Sequence, residues 1–264
     1  ARPRVAGEAR RARLMSNSRF GYQNLLDPAA VVVANGDGIG PVRSEVAPYL
    51  MERAMDGERS TFWQAGAANQ DSGFAWEIVF DFGAPVAATM MAALAVDGSG
   101  LASCNAGVYS SYPSTKSANN LIRNGRDWGL TFASKSSQYW FFKVVATELH
   151  KVGDFYIGPH VDLGIVGNTN FDTTPYRVRN EQPQTDGSFN VNDADRMGHD
   201  FEMQFLAKNL TDTAKYEALI SKPGTVIHID ERDRTFEVLI RGGRLPTNRA
   251  HGRRIISLSM VRQP

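Results

Sequence analysis

Residues 76–83 (WEIVFDFG) constrain the fold more than any other stretch of the chain. Trp76, Ile78, Phe80 and Phe82 fall on one side of an extended backbone, and Glu77, Val79 and Asp81 on the other. That period of two predicts a half-buried β-strand with an aromatic inner face, ending on Asp81-Phe82-Gly83. Trp63 stands thirteen residues before Trp76, across a stretch rich in Gly, Asn, Asp and Ser, which predicts a surface excursion between two strands. Both indoles read as core aromatics of a β-sandwich in preference to ligand contacts, because large rings dominate β cores.

The flanking sequence extends this pattern. Residues 30–34 (AVVVA) are a β-rich run stopped by Asn35-Gly36-Asp37-Gly38. The glycine spacing there reads as a turn, since no Lys-Ser/Thr follows to make a phosphate cradle. Residues 138–145 (QYWFFKVV) predict a buried strand, and Phe155-Tyr156-Ile157-Gly158 closes the first domain. Residues 90–96 stay open between helix, favoured by Ala and Met, and strand, favoured by their place. Residues 109–120 and 123–129 read as loops. Residues 164–170 read as the link to a second domain.

That second domain alternates Phe201, Met203 and Phe205 on one face. A short helix is expected over residues 212–221, with Tyr216, Leu219 and Ile220 inward and Pro223-Gly224 as its stop. Residues 226–230 and 235–241 predict a hairpin around a charged turn, and residues 255–261 a last strand. Residues 173–196 are a long polar stretch, of the kind that is commonly functional or interfacial. The expected fold is mainly β: an N-terminal β-sandwich (jelly roll) over 20–163, then a smaller β-barrel-like domain over 164–264 with one packed helix at about 211–221.

At 264 residues with 42% hydrophobic and 22% charged content, the chain can bury real cores. Cys104 is the single cysteine, so no internal disulfide forms and packing must hold the fold. No apolar run reaches the length that spans a bilayer, so no membrane insertion is expected. Residues 1–19 form a basic arm: five arginines stand against Glu8 in the first fourteen positions. The arm reads either as a true basic tail or as an upstream extension, with Met15 at the place of a start codon. It could complement an acidic neighbour.

The chemistry of known reaction centres is not matched. His150, His160, His199, His228 and His251 lack the spacing of a zinc site, and no GxSxG, HExxH or P-loop occurs. Residues 190–200 are acidic but lack the closing Glu of a calcium loop. No catalytic residue, metal site or cofactor is therefore assigned, and no enzyme activity is expected. Two clusters carry binding expectations. Tyr109, Tyr112, Arg123, Arg126 and Trp128 are candidate glycan contacts, since aromatic rings beside arginine can stack on a sugar and bond its hydroxyls. The competing reading makes them loop aromatics that close one end of the sandwich. Arg241, Arg244, Arg249, Arg253 and Arg254 form a basic cluster with three readings: a contact with an acidic subunit, a solvated face, or nucleic acid. The near-neutral domain around it disfavours nucleic acid.

Taken together, Asn24-Leu25-Leu26-Asp27, Ala47-Pro48, Met55-Asp56-Gly57, Ser60-Thr61-Phe62-Trp63, the strand at 76–83 and Tyr139-Trp140-Phe141-Phe142 resemble the discoidin-type (galactose-binding-like) jelly roll. With Phe155-Tyr156-Ile157-Gly158 and a β-rich second domain, the chain is similar to virion proteins of tailed bacteriophages, from the tail, its tip or the baseplate. The second domain resembles modules of tail-tube and distal-tail proteins. The family's sugar- and calcium-binding loop residues have no clear counterparts here, so a glycan role is not carried over. Residues 90–95 are a poor version of the family's strand. The resemblance implies a structural virion protein, made in the host cytoplasm, that assembles as a ring or hub with copies of itself and other virion proteins. The arm and residues 173–196 are then candidate subunit contacts. The alternative is a carbohydrate-binding module that attaches to a host-surface glycan.

Overall fold

The computed structural model describes residues 18–26, 31–35, 51–57, 61–64, 75–163, 174–183, 189–207, 210–222, 224–230, 232–244 and 254–262. The first part of the chain supplies β1 (Arg19–Gly21), β2 (Val31–Asn35), β3 (Ala75–Leu94), β4 (Asp97–Ser99), β5 (Ser103–Ser111) and β6 (Thr115–Asn120). It continues with β7 (Ile122–Asn124), β8 (Asp127–Val145), β9 (Glu148–Lys151), β10 (Asp154–Gly158) and β11 (His160–Asp162). The remainder supplies β12 (Thr174–Pro183), β13 (Phe189–Ala207), helix α1 (Leu210–Ile220), β14 (Thr225–Ile229), β15 (Thr235–Arg244) and β16 (Arg254–Arg262). The protein is mainly β, as the alternation of its sequence predicts.

Two seven-stranded antiparallel sheets organise these elements. The first runs β10-β3-β8-β5-β6, with β2 added to β3 and β7 to β8. Its inner face carries Trp76, Ile78, Phe80, Trp140 and Phe142, and Phe82 packs against them partly buried. Among the described residues, this core is also lined by the 3-10 turn at Met51–Ala54 and by Trp63 bridged to Val152, next to the β4–β9 pair. Trp63 and Trp140 are fully buried there, so the indoles are core residues. Phe155 joins Phe80 and Phe142 at centroid distances of 5.8 and 4.6 Å, ring geometry that adds to area burial.

Three segments depart from expectation, and a fourth, left open by the sequence, is settled as strand. The strand at 76–83 does not end at Gly83. The register shifts between Asp81 and Val86, Gly83 takes φ 71°, and β3 then continues to Leu94. Residues 90–94 are strand despite their helix-favouring composition because both faces are buried. Met91 and Ala93 enter the sandwich core, while Met90, Ala92 and Leu94 meet Ile227 and Ile229 of the second sheet. Most of residues 109–120 form the β5–β6 hairpin, and the polar stretch 173–196 supplies β12 and the start of β13.

The second sheet runs β11-β1-β14-β15-β16-β13-β12. The expected hairpin is β14–β15, turning at Asp230, whose carboxylate accepts from Arg232 N (2.9 Å), Arg234 N (2.8 Å) and Arg234 Nε (2.7 Å). Helix α1 lays Tyr216 and Leu219 on Val226, Val238, Leu258 and Met260. Two strands of this sheet, β1 and β11, come from the ends of the sandwich segment, residues 19–21 and 160–162. The two sheets are therefore stitched by chain as well as by contact. At the seam, a Cβ on Gly129 would lie 3.0 Å from Thr235 Cγ2 and 3.2 Å from Ile229 Cδ1, so glycine lets β8 approach the second sheet.

Candidate functional site

The outer face of the first sheet is built by the same period of two that fills its core. Because Phe80 and Trp140 point inward, Asp81 on β3 and Tyr139 on β8 point outward beside each other. Tyr109 on β5 pairs with Tyr139, and Lys116 on β6 pairs with Tyr109. One row thus crosses four strands: Asp81, Tyr139, Tyr109, Lys116.

Below this row lies a buried carboxylate. Glu77 is 2% exposed and takes a short hydrogen bond from the Tyr109 hydroxyl and an ion pair from Lys116 Nζ at 2.6 Å. Lys116 also sits 5.7 Å above the Tyr109 ring and 5.3 Å above Phe141. A buried charge is tolerable only when paired and bonded in this way. Burial, the Glu77 bond and its negative charge all push the Tyr109 hydroxyl up from its ordinary range. Burial, then Glu77, then Tyr139, raise Tyr112 likewise. Both phenols are therefore neutral donors at physiological pH.

Tyr112 stands edge-on to Tyr109 at 5.0 Å and stacks on Tyr139 at 5.0 Å with 22° between planes. Tyr112 and Tyr139 are each half-buried. Gln138 Nε2 donates to Asp81 Oδ1 at 2.8 Å and to the Tyr139 hydroxyl at 3.2 Å. The result is a braced aromatic pair rimmed by a carboxylate, a carboxamide and an ammonium. Such a surface can hold a flat, hydroxyl-bearing ring by stacking and by directed hydrogen bonds.

The five candidate glycan residues are not brought to one place. Tyr109 and Tyr112 belong to this outer face. Arg123, Arg126 and Trp128 lie at the β7–β8 turn, eleven residues before Tyr139 along β8, a separation of about 36 Å in an extended strand. Trp128 is 4% exposed and its ring is covered by Arg123 at 5.2 Å. Arg123 donates to the carbonyls of Gly125 and Leu101, and Arg126 pairs with Asp97 at 3.3 Å. Asn124 of the same turn donates to the Thr235 carbonyl at 2.8 Å and so ties this turn to the second sheet, while Trp128 itself is buried in the core of the sandwich.

Of the basic cluster, Arg241 is exposed on β15, Arg244 ends that strand and Arg254 begins β16, while Arg249 and Arg253 lie outside the described residues. The acidic stretch 190–200 falls in β13. Among the described residues no group of three His, Cys, Asp or Glu could hold a metal ion. Glu77, Lys116, Gln138 and Tyr139 were not singled out from sequence. Glu77 had one visible signal, a carboxylate on the outer side of a strand whose other side is wholly aromatic.

Comparison with solved structures finds similar folds over about half of the chain. A chitosan-binding module of a chitosanase/glucanase from Paenibacillus sp. IK-5 matches at TM-score 0.37 and 14% identity, over 52% of this chain and 98% of that one. A CBM32 module from Clostridium perfringens, in complex with GalNAc-β-1,3-galactose, matches at TM-score 0.36 and 16% identity, over 44% and 91%. The C-terminal domain of a chitobiase from Bacteroides fragilis matches at TM-score 0.38 and 12% identity, over 51% and 96%. No protein-family model matches the sequence, and no curated protein matches it significantly.

Proposed function

We propose that the chain acts without catalysis, as a recognition module that holds a carbohydrate on the outer face of its first sheet. The observation that supports this reading is the Tyr112–Tyr139 pair, half-buried, stacked and ringed by Asp81, Gln138 and Lys116. Glu77 contributes by fixing Tyr109 and Lys116 beside the pair, so that little side-chain entropy is lost on binding. A glycan array with the purified chain tests the reading, followed by calorimetry on the strongest ligand. Tyr112→Ala and Tyr139→Ala are each expected to weaken binding at least about tenfold, or about 1.4 kcal/mol. Trp128→Phe is expected to leave affinity unchanged, because Trp128 is buried in the core of the sandwich, away from the tyrosine pair. An array without hits, or a hit indifferent to both tyrosine substitutions, counts against it.

A second reading, compatible with the first, is a structural protein of a tailed-bacteriophage virion that assembles as a ring or hub in the tail or baseplate. One observation favours assembly. β13 pairs with β12 over residues 189–193 and 197–200, across a register shift, but with β16 only over 199–207. Among the described residues, no residue of 189–198 pairs with β16, and the β12–β13 hairpin overhangs its sheet by about 27 Å, the length of eight extended residues of β12. A two-stranded ribbon is marginal alone, and open edges template pairing with another chain. Sedimentation velocity is expected to show an oligomer for the intact chain and a smaller species when 176–197 are replaced by a short turn. A monomer at all concentrations would sink this second reading and leave the first standing.

A further inference from the structure

We infer that β1 is an acid-sensitive latch: protonation of His228 expels Phe20 from the second core and releases the three-residue strand that ties the two sheets. Each residue of β1 does a separate job. Arg19 bonds Thr131 of β8 in the first sheet and pairs with Asp233 of the β14–β15 turn, reaching the Asp230 carbonyl at 3.4 Å. Phe20 lies flat on His228 of β14, with centroids 4.6 Å apart and planes 7° from parallel. Gly21 passes so close to the first sheet that a Cβ would lie 2.6 Å from Met90 Sδ and 2.7 Å from Tyr156 Cζ. Among the described residues, β1 is also the only partner of β11.

His228 is 1% exposed, with Phe20 on one side and Phe236 of β15 at 6.1 Å on another. The charges around it do not welcome a proton. Arg19 from β1 and Arg234 from the turn oppose imidazolium, and Asp230 favours it. The Asp230 oxygens are already taken by Arg234 and by the Arg232 amide. Glu237 on β15 pairs with Ile227, whose side chain faces the first sheet, not the His228 side. From α1 comes Tyr216, whose hydroxyl burial pushes up to about 12, so it supplies no counter-charge. On β11, His160 hydrogen-bonds the Thr89 carbonyl at 3.2 Å, and Asp162 lies opposite Arg19.

Burial, the largest cause, pulls His228 down from 6.5 to about 4. For a histidine whose folded value is lowered, the latched state is fully stable above the unfolded value. It weakens as pH falls through the interval between 6.5 and about 4, by up to about tenfold in population per pH unit. The loss falls on β1 first, because a three-residue strand opens more readily than the sheets it joins.

Hydrogen–deuterium exchange of the full chain at pH 7 and pH 4.5, corrected for intrinsic rates, tests the latch. Peptides spanning 18–23 and 160–163 are expected to exchange at least about tenfold faster at pH 4.5, while those from β3 and β8 stay protected. His228→Phe keeps a stacking ring without a titratable nitrogen, and its peptides should remain protected at both pH values. Should that variant fold poorly, histidine-selective NMR on the wild type serves, with β1 release expected to track the His228 midpoint. Protection of β1 at pH 4.5 overturns the latch, as does equal release in both proteins or an ordinary His228 midpoint with β1 in place.

Discussion

Gly107→Ala is expected to lower stability by about 3 kcal/mol, the upper end of the cost of overpacking, and to abolish binding on the outer face with it. Gly107 sits in β5 opposite Ala118 of β6. A Cβ there would lie far inside van der Waals contact distance of the Ser117 carbonyl oxygen, 2.9 Å from Ser117 C and 3.0 Å from Ala118 Cα. Those atoms are backbone, so no side-chain rotation can make room, and the two strands must move apart. The strand pair that would open carries Tyr109 and Lys116, the two donors that hold Glu77. Opening it strands a buried carboxylate, which adds to the steric cost. Gly83→Ala is the control. At φ 71° with nothing within 4 Å, its expected cost is only the left-handed penalty, about 1–2 kcal/mol. Urea unfolding of the three proteins reads the difference, and a Gly107→Ala midpoint equal to wild type would show that β5 and β6 can separate freely.

What could be read from the sequence follows from how local each signal is. Trp76, Ile78 and Phe80 announce a strand by themselves, since alternation is a property of neighbouring residues, and all three are buried. The β14–β15 hairpin and α1 were legible for the same reason. The β5–β6 hairpin was not. Its second strand, TKSANN, is exposed along almost its whole length and so shows no inner face to alternate. Residues 90–94 defeated a two-period reading because β3 is covered on both sides there. The outer-face site was half legible. Tyr109 and Tyr112 stand out as aromatics among small polar residues, but Glu77 meets Tyr109 from 32 residues away. Only the ordering of β3, β8 and β5 in the sheet brings them together. Trp128 looked like a member of that group for want of the same information.

Asp154→Asn is expected to stabilise the protein at neutral pH and to flatten its stability between acid and neutral conditions. Asp154 opens β10 and is 5% exposed, with its Oδ1 lacking any hydrogen-bond partner. Burial, followed by the negative charges of Glu237 and Asp56, pushes its carboxyl well above the ordinary value of 3.8, against a smaller opposing bond from the Phe155 amide. The sign follows from linkage. A carboxyl whose folded value is raised contributes fully below its unfolded value, and that contribution is lost as pH rises through the folded one. Acidification therefore helps at Asp154 while it harms at His228, and the wild type should be most stable at an intermediate, mildly acidic pH. An amide at 154 carries no charge to desolvate and no repulsion toward Glu237, so the neutral-pH penalty disappears. The gain should appear as a Tm higher by a few degrees, on a scale of about 2–4 °C per kcal/mol for a chain of this size. Thermal melts from pH 4 to pH 8 separate the two groups. Asp154→Asn should remove the decline on the alkaline side and leave the acid side unchanged, whereas His228→Phe should do the reverse. A variant at 154 that melts below wild type at pH 7.5 would mean that the carboxylate is ionised and held by the fold, contrary to the environment described for it.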